Sequence, residues 1–269
     1  MKRAAMVILT ILLMSSTVYL IACTSTESVE NNFSVGSNPQ IHVDVGNGDI
    51  DIIVGEEGII HTSATLQKPD KIEYDVTQDG DTITVSATTK SNSRADVTVS
   101  VPENCAFILS TGNGRVEVVD LHASGELRSG NGKLVLEGVQ GDIEVSLGNG
   151  DISLENVEGS FDVHDGNGNI VLSGASGSFD LYNGNGKIVF QGELIPGSEN
   201  TFSIGNGPVT VELLGSPSVA LDLETEDGEV KSDLPVTVQE KTKHRLVGTI
   251  GEGEASLSVH TGNGDITIK

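Results

Sequence analysis

The sequence predicts an all-β protein, a parallel β-solenoid (β-helix) with about 18 residues per turn, and three observations lead to that prediction. A tripeptide, Gly-Asn-Gly, recurs four times running at a spacing of 18 residues. The segments between these tripeptides alternate apolar and polar residues with the period of a β-strand. The composition includes 33 glycines, no tryptophan and only 3% aromatic residues. The core is therefore expected to be aliphatic, with glycine at many sharp bends.

The first segment of the chain predicts export and lipid attachment. Lys2 and Arg3 precede a long apolar run, as in a secretory signal, and residues 1–22 are assigned to that signal. The run ends in Leu20-Ile21-Ala22-Cys23, which resembles the bacterial lipoprotein signal, in which the Cys is lipidated and becomes N-terminal. Cys23 is therefore the predicted lipidation site. An uncleaved transmembrane helix is the alternative interpretation of the same run.

The predicted anchor sets the expected location of the protein. A lipid on Cys23 places the chain outside the cytoplasm, bound to a bacterial membrane. Thr24, rather than Asp, follows the Cys, and this does not suggest retention in the inner membrane of a Gram-negative cell. The outer membrane and a Gram-positive cell surface are both allowed.

The rest of the chain divides into a tether and a solenoid. Residues 23–40 are predicted to be a flexible tether, because TSTESVENN shows no apolar period. Residues 41–269 are assigned to the solenoid in three parts. Residues 41–108 are expected to form irregular first coils that also cap the base of the core. Residues 109–214 hold the regular repeats, and residues 215–269 are expected to form irregular C-terminal coils.

The regular repeat has two strands per turn. In the turn GNGDISLENVEGSFDVHD, the apolar residues at alternate positions are Ile152 and Leu154 on one strand and Phe161 and Val163 on the other. One turn alone cannot bury these side chains, whereas stacked turns can, since each strand pairs with its equivalent one turn on. The tripeptide begins at Gly46, Gly112, Gly130, Gly148, Gly166, Gly184, Gly205 and Gly262.

The tripeptide itself predicts a tight corner. Glycine adopts positive φ without penalty, and asparagine tolerates the left-handed region better than most residues. Stacked asparagine side chains can also hydrogen-bond along the column as a ladder.

One column of carboxylates is a candidate cation-binding strip. The fifteenth residue of each 18-residue turn is acidic and lies between inward-facing positions, so it should face solvent. A solvated acidic face is the simpler interpretation, because neighbours about 5 Å apart in water repel by only roughly 0.9 kcal/mol. The alternative is a strip that binds cations or a basic partner. The four residues are Glu126, Glu144, Asp162 and Asp180.

Charge and the remaining reactive residues exclude several functions. The formal net charge of −24 disfavours nucleic-acid partners. The six histidines are scattered and predict no metal site. Cys105 lies in the apolar run CAFIL, where a small buried hydrophobe is expected rather than a reactive thiol. Apart from a covalent lipid on Cys23, no cofactor is expected.

The run VPENCAFILSTGNGRVEV, followed by repeated GNGxI and GSFD segments, resembles the adhesin-like β-strand-repeat family, a domain with no established function. The resemblance covers residues 41–269. It implies a solenoid, exposure outside the cytoplasm and no catalytic residues to carry over.

The expected function is therefore a non-catalytic adhesion, interaction or envelope-structural role. Its expected partners are a membrane, through the lipid anchor, and a surface protein or polysaccharide as the candidate ligand. The alternatives are a cation-dependent binding module and a polysaccharide-active β-helix enzyme. The turns are too short to build the substrate groove that such an enzyme needs.

The C-terminal end of a parallel solenoid exposes unpaired backbone groups, which invite pairing with another chain. Part of residues 229–258 is expected to fold over this end as a cap, and the protein is then expected to be a monomer. An uncapped end that takes up a partner strand is the alternative.

Overall fold

The computed structural model describes residues 25–269, and this part of the chain consists almost entirely of β-strands. Nineteen strands form one hydrogen-bonded sheet with both parallel and antiparallel pairings. The helical element in this range is a single 3-10 turn, Pro69–Lys71. Within residues 25–269 no helix is long and apolar enough to cross a membrane.

The central strands pair in parallel at a constant offset. Glu144 pairs with Glu126 on one side and with Asp162 on the other, so each step moves 18 positions along the chain. The last strand of this group is 37 residues long and contains two of the tripeptides. The four strands are β8 (Ala106–Val119), β9 (Gly125–Glu137), β10 (Gln140–Glu155) and β11 (Glu158–Leu194).

The predicted inward positions form the core. Ile152, Leu154, Phe161 and Val163 are all buried, because the side chains of each strand alternate between the wet face and the inside of the stack. The core continues as one apolar cluster from Ile41 to Ile268. Each residue added to this column removes apolar surface from water, which stabilises the stack by about 25 cal/mol per Å².

The conformation of the corner differs from the prediction in one respect. The second glycine of the tripeptide has positive φ, as at Gly150 (φ 141°), and a Cβ there would lie 1.7 Å from the carbonyl oxygen of Gly132 in the neighbouring turn. Among the described residues, the motif asparagines are not in the positive-φ set. The left-handed tolerance expected of asparagine is therefore wrong as the reason for its presence. Close backbone approach explains the second glycine, and hydrogen bonding explains the asparagine.

The flexible tether predicted for residues 23–40 is wrong over most of its length. Strand β1 (Thr26–Ser34) pairs antiparallel with β4 (Ile59–Gln67) along its whole length. Val29 and Phe33 pack against the core from this strand. They are four positions apart with Asn31 between them, so the sequence shows no obvious apolar alternation. Cys23 lies outside the described residues.

Residues 41–108 form the first layers of the stack, with antiparallel strands at their edges. Strands β2 and β3 pair in parallel with β8 on one side and with β6 and β7 on the other. Antiparallel β5 and β4 then cover β6 and β7. The new strands are β2 (Gln40–Asn47), β3 (Ile50–Val54), β5 (Ile72–Asp79), β6 (Thr82–Thr89) and β7 (Arg94–Val101).

At the C-terminal end the layers do not follow chain order. Strands β18 and β19 lie between β12 and β13 on one side and β14 and β15 on the other. The strands are β12 (Glu199–Asn206), β13 (Val209–Leu213), β14 (Val219–Asp227), β15 (Val230–Ser232), β16 (Thr237–Lys241), β17 (Arg245–Ile250), β18 (Ala255–Asn263) and β19 (Ile266–Ile268).

The end of the stack is covered by the segment expected to cap it. Strand β17 pairs antiparallel with β14, and β16 pairs antiparallel with β17. Both lie within residues 229–258. They cover the layer of β14 rather than that of the last strand, because β19 is already paired on both sides.

Candidate functional site

The acidic column lies on the face formed by the first strand of each turn. Glu126, Glu144 and Asp162 occupy paired positions in adjacent turns. Asp180 takes the equivalent place in the next turn, where it pairs onward with Thr201. The sequence placed these carboxylates on the wet face, and the structure puts them there.

Basic side chains on the same face engage three of the four carboxylates. Arg128 forms ion pairs with Glu126 and, at 3.4 Å, with Glu144. His164 Nε2 lies 3.0 Å from an oxygen of Asp162. Among the described residues, no group of three or more His, Cys, Asp or Glu side chains is placed to hold a metal ion. A cation on this strip would have to compete with Arg128.

A shallow depression of about 510 Å³ adjoins the acidic column. Gly125 takes the place of a side chain in the inward column, and the ring of Phe107 fills the space that a Cβ would need. Ile108 is 44% exposed within the depression. Its other lining residues include Gln40, His42, Ser124, Asp142 and Glu144.

All eight motif asparagines form one ladder along an edge of the stack. Every side-chain amide except that of Asn47 donates to the amide oxygen of the asparagine in the adjacent turn, at 2.7–3.0 Å. The ladder contains Asn47, Asn113, Asn131, Asn149, Asn167, Asn185, Asn206 and Asn263. The hydrogen-bonding role predicted for the asparagines is confirmed.

The ladder ends differently at its two ends. At the N-terminal end, Asn47 Nδ2 donates to the hydroxyl oxygen of Thr89 at 2.7 Å. At the other end, Asp227 is the Cα partner of Asn263. An ionised carboxylate has no N–H to donate, so Asp227 cannot continue the ladder.

The residue that precedes the tripeptide is buried, and in five of the eight turns it is polar. Thr111 and Thr261 donate their hydroxyls to carbonyl oxygens of second glycines in a neighbouring turn, at 3.0 and 2.9 Å. The Asn183 amide does the same toward Gly168 at 2.9 Å. These bonds satisfy carbonyl oxygens that are buried by the close approach of the turns and would otherwise have no hydrogen-bond donor.

Asp165 is the exception in this column. Its Oδ1 accepts from the backbone N–H of Asn167 at 3.2 Å, whereas its Oδ2 is buried without a hydrogen-bond partner. Burial raises the pKa of this carboxyl to about 6, and the charge of Asp151 contributes in the same direction. Asp165 stacks on Leu147 of the preceding turn and continues the inward alternation of Phe161 and Val163, so strand alternation in the sequence could have shown that this carboxyl is buried.

Cys105 is an inert thiol. It is fully buried, and burial raises its pKa to about 12. A buried protonated thiol is a poor nucleophile. The expectation of a small buried hydrophobe is confirmed.

Consecutive backbone hydrogen bonds bring Lys68, Lys71 and Lys90 together near Ser25. The backbone N–H of Lys68 donates to the carbonyl of Ser25 at 2.8 Å, the N–H of Lys71 donates to the carbonyl of Lys68, and that of Lys90 to the carbonyl of Lys71. We call Ser25, Lys68, Lys71 and Lys90 the entry corner, because the described chain begins there. Sequence reasoning missed it, since the residues come from three segments.

Residues 38–269 match the family model described as Toastrack DUF4097. Among curated proteins no match is found. A candidate cell adhesion protein from Clostridium sporogenes is 15% identical in sequence, with a TM-score of 0.32 over 90% of this chain and 99% of that one. A candidate adhesin from Bacteroides fragilis is 13% identical, with a TM-score of 0.28 over 91% and 99%. A candidate lipid-binding protein from Parabacteroides distasonis is 11% identical, with a TM-score of 0.29 over 90% and 97%.

Proposed function

The chain belongs to the Toastrack DUF4097 family, and on that premise we propose that it is a lipid-anchored, extracytoplasmic, non-catalytic protein. Its role is to hold a rigid β-solenoid on a bacterial membrane, where the solenoid's surface contacts a surface protein or a polysaccharide. We take the solenoid to have about 18 residues per turn, as the offset between β9, β10 and β11 indicates.

The observation that carries this proposal is the continuous asparagine ladder. It joins turns from Asn47 to Asn263 by side-chain hydrogen bonds, while one apolar core runs beside it. A stack that is bonded in this way along its length resists bending, since a break in one layer exposes core and unpaired backbone on both sides. Such a stack suits a spacer or display element.

The groups available for chemistry support a non-catalytic role. The Cys105 thiol is buried, with a pKa raised to about 12. Arg128 forms ion pairs with both Glu126 and Glu144 on the exposed face. These contacts stabilise the surface and hold its carboxylates in ion pairs.

We also propose that the protein is a monomer. The outermost strand at the C-terminal end, β16, carries Glu240 and Lys241, and charges on an edge strand oppose pairing with another chain. Light scattering at rising protein concentration tests this: a constant mass is expected, and a dimer or filament would contradict it.

The lipid anchor is tested by replacing its predicted attachment residue. Cys23→Ser is expected to abolish both labelling with a palmitate analogue and retention in the membrane fraction, because serine cannot form the thioether. Cys105→Ala is the control and should leave both unchanged. Labelling of Cys23→Ser at the wild-type level would contradict the anchor.

A further inference from the structure

We infer that the N-terminal end of the stack, at the entry corner, is the membrane-contacting surface, and that the β16–β17 hairpin is the part of the protein farthest from the bilayer. The partner at the entry corner is the headgroup layer of an anionic bilayer. This inference rests on the proposed lipid anchor at Cys23.

The first support for this orientation is the short length of chain between Cys23 and strand β1. The carbonyl of Ser25 is held by the backbone N–H of Lys68 at 2.8 Å, and Thr26 begins the nine-residue pairing of β1 with β4. Two residue steps separate Cys23 from Ser25, and they span at most about 7 Å when fully extended. A lipid inserted from Cys23 therefore holds the entry corner at the level of the headgroups.

The second support for this orientation is the charge at the entry corner. Lys68, Lys71 and Lys90 are joined there by consecutive backbone hydrogen bonds. The carboxylates of the same segments are Glu27, Asp70 and Glu73, and Glu73 pairs with Lys90 at 3.3 Å. Three cations thus lie beside three anions in a chain that has 39 acidic and 15 basic residues. The corner is close to neutral on an acidic body, so anionic lipid repels it less than it repels the rest of the surface.

The order of the layers fixes the opposite end. From β6 and β7 near the entry corner, the stack proceeds through β2 and β3, then β8 to β13, then β18 and β19, and ends at β14 and β15. These ten layers, at about 4.8 Å per step, span roughly 45 Å. The β16–β17 hairpin lies beyond the last layer.

The flanks disfavour a stack that lies flat on the membrane. One flank carries Asp142, Glu144 and Asp162, and the other carries Glu137 and Glu155. Anionic headgroups repel these rows of carboxylates over a distance of about one Debye length. The upright arrangement keeps both flanks in water.

Single-cysteine labelling on the lipidated protein tests the orientation. Cys105 is fully buried, and a lipidated Cys23 has no free thiol, so an introduced surface cysteine is the reactive one. Four variants place a fluorophore at the entry corner, on each flank and at the hairpin: Lys71→Cys, Asp142→Cys, Glu155→Cys and Lys243→Cys. All four native residues are exposed. Each labelled protein is bound to vesicles of phosphatidylcholine and phosphatidylglycerol that carry a headgroup nitroxide quencher.

The expected result is that the Lys71 label loses most of its emission, while the labels at Asp142, Glu155 and Lys243 keep theirs. Strong quenching on a flank would show a stack that lies flat, and an unquenched Lys71 label on vesicle-bound protein would show that another surface faces the bilayer. Either result overturns the inference while leaving the anchor intact. Protein that fails to float with the vesicles contradicts the anchor, and the orientation then falls with it.

Discussion

The side-chain amide of Asn263 donates a 2.7 Å hydrogen bond to the amide oxygen of Asn206, across 57 residues of chain. This bond continues the ladder through a point where the 18-residue period has ended. It shows that the tripeptide, rather than a constant spacing, marks the residues that stack.

Removal of one ladder residue should destabilise the stack more than a change on an open face. Asn149 donates to Asn131 and accepts from Asn167, both at 3.0 Å. Asn149→Val removes both bonds and should lower the free energy of unfolding by about 1–2 kcal/mol. Ser153→Val is the control, because Ser153 lies on an outward strand position where a β-branched residue is favoured. Equal melting shifts for the two variants would show that the ladder does not stabilise the fold.

Extension of the ladder by one residue should stabilise the protein. Asp227→Asn supplies an amide opposite Asn263, and one new hydrogen bond should add about 0.5–1.5 kcal/mol to the free energy of unfolding. Glu226→Gln removes the same charge from the neighbouring residue without reaching the ladder, so it controls for net charge. Chemical denaturation measures both. If the two variants gain equally, the effect is one of charge, and the ladder account of Asp227 is refuted.

The buried carboxyl of Asp165 should make stability depend on pH. Its pKa in the folded protein is raised to about 6 from an ordinary value of 3.8, chiefly by burial. Because the pKa is higher in the folded protein, the protonated carboxyl of Asp165 stabilises the fold fully below pH 3.8. This stabilisation is lost as the pH rises through about 6. Above that pH the fold holds a buried charge whose Oδ2 has no partner.

Asp165→Asn should therefore raise the melting temperature at pH 8 and leave it nearly unchanged at pH 4. At pH 8 the free energy of unfolding should rise by an amount on the order of 1–3 kcal/mol, which is the cost of an unsatisfied buried polar group. Asn183 already shows the arrangement that the variant would adopt, with its amide donating to Gly168. The reverse substitution, Asn183→Asp, should introduce the same pH dependence one turn away. A melting difference between wild type and Asp165→Asn that does not change with pH would contradict this account.

The repeated tripeptide was sufficient to predict the parallel stacking of β8 to β11, because a constant spacing places equivalent residues one above another. It could not predict that β18 and β19 insert before β14 and β15, or that β2 stacks on β8 across 66 residues, since these offsets do not repeat. Strand β1 was missed for a different reason. Its burial alternates, but the half-buried position between Val29 and Phe33 is held by a polar residue, Asn31, which interrupts the apolar pattern.

Of the candidate site residues, the acidic column was placed correctly on the wet face, since strand alternation alone determines it. The pairing of Arg128 with two of its carboxylates was not foreseen, although the stacking register brings them together. The entry corner depends on backbone bonds between Lys68, Lys71 and Lys90 across three segments. No local pattern in the sequence encodes that contact.

Successive 18-residue segments stack in parallel register from β8 to β11, and spin labels on three residues test this stacking directly. Glu155 pairs with Glu137 on one side and with Ser173 on the other. Nitroxides at 137 and 155, or at 155 and 173, should lie one strand spacing apart, about 4.8 Å between backbones, and those at 137 and 173 about twice that. We predict strong dipolar broadening of the electron spin resonance spectrum for both adjacent pairs and much weaker broadening for the outer pair. Similar spectra for all three pairs, or broadening in the outer pair alone, would contradict the solenoid.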